Sequence, residues 1–275
     1  MARKKVLLSV TTYPLPSRSY DELVCTAGFL ENGEWIRIYP IPLSFLMGQR
    51  KSGKIDSFKY TWIELELNRR SDDFRPESHS PQHYDFRDIV LHERLDTVGN
   101  WFKRKEICLQ NVYTNLSQLI KDSEAPTNRS LATFKPTEII GFEIEEDTRE
   151  WKDEWLELRK QGDLFVSEKT PESLIPKLPY KFFYRFRDEA GKESRLMIED
   201  WEIGALYWNC FRAAEGVEAK ALEKVREKYE QEFLTQKDIY LFLGTTKEWH
   251  MRRAKNPFVI IGVFYPKKET QMKLF

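Results

Sequence analysis

The stretch from Leu23 to Tyr39 constrains the fold more than any other. Leu23, Cys25, Ala27 and Phe29 alternate with Val24, Thr26 and Gly28; Glu31-Asn32-Gly33-Glu34 follows, and then Trp35 to Tyr39. Alternation with period two puts successive side chains on opposite faces, so each run reads as a strand. Asn and Gly both tolerate positive φ, which predicts a hairpin closed by a tight type I′ turn. Pro40 and Pro42 stop the second strand, because proline cannot donate to a ladder. A chain that starts this way builds a sheet around that hairpin.

Further runs extend the sheet. Val6 to Val10 is short, apolar and rich in β-formers. Tyr60 to Leu67 sets Trp62, Glu64 and Glu66 against Ile63, Leu65 and Leu67, and Glu138 to Glu145 alternates in the same way. A second hairpin is expected where Phe182 to Phe186 and Ser194 to Ile198 flank Asp188-Glu189-Ala190-Gly191. Asp238 to Leu243 and Phe258 to Phe264 are apolar, and the latter is nearly continuous, which places it centrally in a sheet. Helical spacing appears over Asp96 to Leu119 with a break near Tyr113 to Asn115, over Trp151 to Lys160, after Asp200, and over Val217 to Leu234. The fold class is therefore α+β. A twisted antiparallel or mixed sheet, able to curl into a barrel, carries helices inserted in the C-terminal half. Residues 1–275 read as a single compact domain, with the Pro-bearing connector 171–179 as the boundary between subregions.

Charge narrows the function classes. Lys and Arg together number 44 and so do Asp and Glu, so an overall basic footprint for nucleic acid is absent. Contact with DNA then needs a local patch, for which Lys103, Arg104 and Lys105, and Arg252 and Arg253 with Lys255, are the candidates. Solvated surface charge is the plain alternative. Cys25, Cys108 and Cys210 are far apart with no CxxC spacing, which argues against structural zinc and a disulfide framework and fits a reducing, cytoplasmic setting. The basic start is followed by too few apolar residues for a signal peptide, and no apolar run approaches a membrane span.

Four segments carry chemistry. Cys25 sits near Asp21 and Glu22, and across the hairpin from Arg37; a thiolate attacks electrophilic carbon, whereas the plain alternative is a small core side chain on the same strand face as Leu23 and Ala27. Asp73-Phe74-Arg75-Pro76-Glu77-Ser78 gathers acid, base and hydroxyl, so Arg75 either grips a phosphate or carboxylate or pins its own loop in a salt bridge. Glu199-Asp200-Trp201-Glu202 surrounds an indole with carboxylates. It is either a platform for a base whose donor edge the acids read, or a helix start capped by Asp200. Thr245-Thr246 after Gly244 could offer amides to a phosphate but lacks a P-loop pattern. The four histidines show no metal-ligand spacing.

Taken together, the segments ELVCTAGF, WIRIYPIPLSFL, DFRPES, IEDWE, and FLGTT with NPFVIIGVFYP resemble the C component of bacterial 7-deazaguanine DNA-modification systems, found in mobile and phage-defence islands. The short strands also resemble base-reading barrels of the PUA and ASCH type. The resemblance implies conversion of a 7-cyano-7-deazaguanine base in DNA to its 7-amido form. Cys25 would then be the nucleophile, passing through a thioimidate, with Asp21, Glu22 or Asp200 handling protons. Arg37, Arg75, Glu77, Trp201 and Glu202 would hold the substrate. No cofactor and no metal are implied. The partners would be modified DNA and other proteins of the system, with no membrane. The competing class is a binding module without chemistry, a reader of modified or flipped bases; a nuclease built on scattered acids comes third.

Overall fold

The computed structural model describes residues 2–13, 23–42, 45–46, 57–151 and 176–269. Its contacts divide the chain into two compact units. The first comprises residues 1–95 and 144–181, and the second comprises residues 96–143 and 182–275. The sequence alone suggested one compact domain with a boundary at 171–179. Among the described residues, no helix is long and apolar enough to cross a membrane.

The first unit is a barrel. Strands β1 (Ala2–Thr11), β2 (Leu23–Leu30), β3 (Trp35–Pro42), β4 (Thr61–Arg69) and β5 (Ser78–Pro81) close in the ring order β1-β2-β3-β5-β4, and β6 (Val90–Arg94) pairs with the first half of β4, ahead of the stretch that pairs with β5. The ring is mixed because β3 and β5 run parallel, while the other neighbours are antiparallel. β1 is shared between two ladders, and Val6, Leu7 and Leu8 are accordingly buried. A Cβ at Gly28 would lie 2.1 Å from the carbonyl oxygen of Leu7, so β1 and β2 approach this closely only with glycine there. β4 keeps the expected alternation: Ile63, Leu65 and Leu67 are buried, while Glu64 on the other face pairs with Arg3 and His92. The barrel expectation holds.

The first hairpin forms, with a different turn from the one the Asn-Gly pair suggests. Gly33 N–H donates to Leu30 O (2.9 Å) and Leu30 N–H to Glu34 O (2.8 Å), and Gly33 alone in the loop has positive φ, 75°. This is a type I turn followed by a glycine bulge. The Asn32 carboxamide accepts from Glu34 N–H (3.1 Å), which holds Asn32 in ordinary turn geometry and leaves the left-handed position to Gly33.

The second unit packs two sheets with the helices. β7 (Val112–Tyr113), β8 (Leu131–Phe134), β12 (Tyr240–Thr245) and β13 (Phe258–Phe264) form one sheet in the order β13-β12-β8-β7. β9 (Glu138–Glu146), β10 (Tyr180–Arg187) and β11 (Glu193–Met197) form the other, in the order β11-β10-β9. β13 ends its ladder rather than lying at the centre. Its buried side chains are covered nonetheless, and its outer edge is met by a single bridge to Ile198 and by Glu199 N–H donating to Ile260 O. The helices are α1 (Val98–Cys108), α2 (Leu116–Asp122), α3 (Trp201–Ala213), α4 (Glu218–Arg226), α5 (Phe233–Gln236) and α6 (Lys247–Met251). Between α4 and α5 lies a turn of π-helix, Glu227–Glu232, where the carbonyl of Tyr229 accepts the Tyr184 hydroxyl at 2.6 Å. The break expected near Tyr113 separates α1 from α2. The helix expected at 151–160 lies outside the described residues, Trp151 excepted.

Candidate functional site

Cys25 stands at an irregularity in the barrel. Val24 pairs with Ile41 and Thr26 with Ile38, so the single residue Cys25 opposes both Tyr39 and Pro40. β3 bulges here, and Pro40 has no N–H to restore the ladder. On its other side, Cys25 is held firmly. Its carbonyl accepts from Thr12 N–H (3.0 Å), and its N–H donates to Thr12 Oγ1 (3.2 Å). Cys25 is partly exposed, as is Cys210, whereas Cys108 is buried.

Next to it lies a buried cation. Arg37 pairs with Ala27 across the hairpin and with Ser78 across the parallel β3–β5 ladder. Its Nη1 donates to Ser78 Oγ at 3.1 Å, and its backbone N–H to Glu77 O at 2.9 Å. Only 3% of Arg37 is exposed. Burial pulls its pKa down, negative charge on Cys25 offsets that first, Arg75 adds to the lowering, and Glu77 and Asp73 favour the cation. A buried charge of this kind is tolerable only with such partners.

The loop from Arg70 to Glu77 is braced from within. Arg75 grips Asp73 through two arms, Nε to Oδ1 (2.9 Å) and Nη2 to Oδ2 (2.6 Å), and both residues are buried. Burial opposes ionisation of Asp73, but the hydrogen bonds and charge of Arg75 outweigh it and hold the carboxyl well below the usual carboxylate range. Arg69 Nη1 donates to the carbonyls of Arg70, Asp73 and Ser78. His79 places Nδ1 2.9 Å from Glu77 O, so that nitrogen carries the proton, and burial lowers its pKa.

Tyr39 completes the set, and the sequence reading missed it. Burial raises its pKa, negative charge on Cys25 raises it further, and Arg70 works the other way. The Arg70 guanidinium lies 5.3 Å from the Tyr39 ring centroid and donates to Tyr39 O at 3.2 Å. The available signal was the shared face of Arg37 and Tyr39, two residues apart on a strand.

Asp21 and Glu22 are outside the described residues. Asp200, Trp201 and Glu202 belong to the second unit, where the Asp200 side chain accepts from Glu202 N–H (3.1 Å) and caps α3, as the plain alternative held. Asp200 is 2% exposed, and burial pushes the neighbouring Glu199 carboxyl up. The basic run in α1 is not a displayed patch. Arg104 is buried with its guanidinium 4.8 Å from the Trp101 centroid, and Lys105 pairs with Glu269, which leaves Lys103 exposed. Arg252 and Arg253 are both exposed. Thr246 caps α6, and His250 ties Thr245 to Ser123 O rather than facing a ligand. Among the described residues, no three His, Cys, Asp or Glu side chains converge as a metal ion requires.

Residues 113–275 match the family described as Domain of unknown function (DUF8757). The chain belongs to that family. Residues 2–110 match a second, Domain of unknown function (DUF8758), so the DUF8757 region begins just after α1 and the barrel strands β1 to β6 all fall in the DUF8758 region. No curated protein matches the chain. Among solved structures, a murine DNA-binding protein bound to double-stranded DNA aligns over 98% of this chain and 97% of that one, at 9% identity and a TM-score of 0.31.

Proposed function

We propose that the barrel unit acts on a 7-cyano-7-deazaguanine base in DNA and hydrates its nitrile to the carboxamide through Cys25. The observation that carries this reading is a part-exposed cysteine at a strand bulge, with the Arg37 guanidinium and the Tyr39 phenol as the groups coupled to its charge. Sulfur adds to the nitrile carbon, and the thiol proton ends on nitrogen, relayed through the Tyr39 hydroxyl. Water then adds across the carbon–nitrogen double bond of the thioimidate. The carbon–sulfur bond breaks, the amide leaves, and sulfur regains its proton. Stacking hides a base within duplex DNA, so the substrate is single-stranded or flipped, with extrusion costing about a few kcal/mol. Other proteins of a modification system are proposed as partners on the resemblance alone.

A second reading, a binding module without chemistry, is favoured by one feature: Arg75 spends its fork on Asp73. One assay separates the two. An oligonucleotide carrying the cyano base is incubated with enzyme, digested to nucleosides and weighed. Wild type should add the mass of one water, Cys25→Ala should add none, and Tyr39→Phe should slow the reaction by about 100-fold, the usual scale of proton-transfer assistance. Full conversion by Cys25→Ala would remove the thiol from the mechanism. Binding without conversion by wild type would leave the module reading in its place.

A further inference from the structure

We infer that the corner made by α6 and the turn behind it is a stacking platform for single-stranded nucleic acid. The segment Lys247 to Lys255 carries four basic residues against one acid, Glu248, in a chain whose net charge is zero. Within it, Trp249 is 52% exposed and Met251 57%. Trp249 and Met251 together leave apolar surface in water that a stacked ring would cover, which is favourable because apolar area then leaves water. The basic side chains around it specify a polyanion as the cover. A polyanion that also offers flat aromatic faces is a nucleic acid with unpaired bases.

The platform is anchored before any ligand arrives. One side of α6 is fastened down by His250, whose Nε2 donates to Ser123 O at 2.6 Å and whose Nδ1 lies 3.0 Å from Thr245 Oγ1. Thr246 caps the first turn through Trp249 N–H (3.2 Å), and Ala254 N–H donates to Trp249 O (3.1 Å) to close the last. Trp249 therefore projects from fixed backbone, and little ordering remains when a base stacks on it. The Arg252 guanidinium lies 6.0 Å from the ring centroid and pairs with Glu248 at 2.9 Å.

Arg253 adds a separate sign. It adopts φ of 50°, a left-handed position that glycine occupies most easily, at the residue after the helix cap. An arginine there accepts strain, and both Arg253 and Lys255, two residues on, are exposed. Phosphates spaced along a strand would meet Arg253 and Lys255 while one base covers Trp249.

The platform is independent of the chemistry proposed at Cys25, and its test needs no modified base. Binding of a fluorescein-labelled oligothymidine is followed by anisotropy at several salt concentrations. Wild type should bind, with affinity falling as salt rises, and Trp249→Ala should weaken binding about tenfold, the scale of one base–aromatic stack. Arg253→Glu with Lys255→Glu should weaken binding and flatten the salt dependence, by a slope of about 1.4 for two phosphate contacts on a single strand. All three positions are on the surface, and equal melting temperatures will confirm that the variants fold. No binding by wild type, or equal binding by wild type and both variants, would overturn the platform. Preference for anionic lipid vesicles over the oligonucleotide would overturn it too, because the same chemistry would then be serving a membrane surface.

Discussion

The two tight hairpins among the described residues share one turn and carry opposite contents. Leu30 to Gly33 in the barrel and Asp188 to Gly191 in the second unit both close with a type I turn and a glycine at φ 75°. Asp188 is buried and its carboxylate accepts from Ala190, Lys192 and Leu116 N–H, which ties its turn to the start of α2. Asn32 is exposed and makes one such bond, to Glu34. The strands differ in the same sense. β10 fills a core with Phe182, Tyr184 and Phe186, whereas β2 and β3 bring Cys25, Arg37 and Tyr39 to a bulge. Identical turn chemistry sets a hairpin but not its use; the irregular ladder with buried charge distinguishes the hairpin on which the proposed chemistry rests.

The sharpest way to break the contrast is to remove the counter-charge on the barrel side. Asp73→Ala leaves Arg75 buried without its carboxylate and should cost about 3–5 kcal/mol in urea unfolding. A loss below about 1 kcal/mol would mean the loop is not braced as described. Asp188→Ala should cost about 1–3 kcal/mol, because the buried Leu116 N–H loses its acceptor. Acid sharpens the comparison further. The folded Asp73 carboxyl lies below its unfolded value near 4, so its contribution is full above about pH 4 and fades as pH falls toward the folded pKa. Asp73→Asn should remove that part of the acid dependence, read from urea midpoints between pH 2 and pH 6. Asn32→Ala should cost only about 0.5–1 kcal/mol, since water replaces the lost bond.

Local features of this fold were legible. The alternation of β4, the cap at Asp200, the break near Tyr113 and the positions of both hairpins follow from patterns within a few residues. Four features were not. The turn type at Asn32 depended on its carboxamide reaching Glu34, which a dipeptide preference does not encode. The position of β13 depended on what covers it, since burial by helices and by a single bridge gives the same apolar run as a central strand. Tyr39 escaped because the bulge sets two residues against Cys25, and strict alternation counts one. Likewise, the basic run in α1 reads as a patch until the fold turns Arg104 inward onto Trp101.

The central claim, that the barrel hairpin is the one that carries chemistry, is tested most directly by locating the covalent intermediate. Enzyme is mixed with an excess of single-stranded oligonucleotide carrying the cyano base, quenched in acid within the first turnover, digested and mapped by peptide mass. The account predicts a base adduct on the peptide containing Cys25, none on those containing Cys108 or Cys210, and none in Cys25→Ser. Amide formed at the wild-type rate by Cys25→Ser, with no adduct on any cysteine, would contradict it.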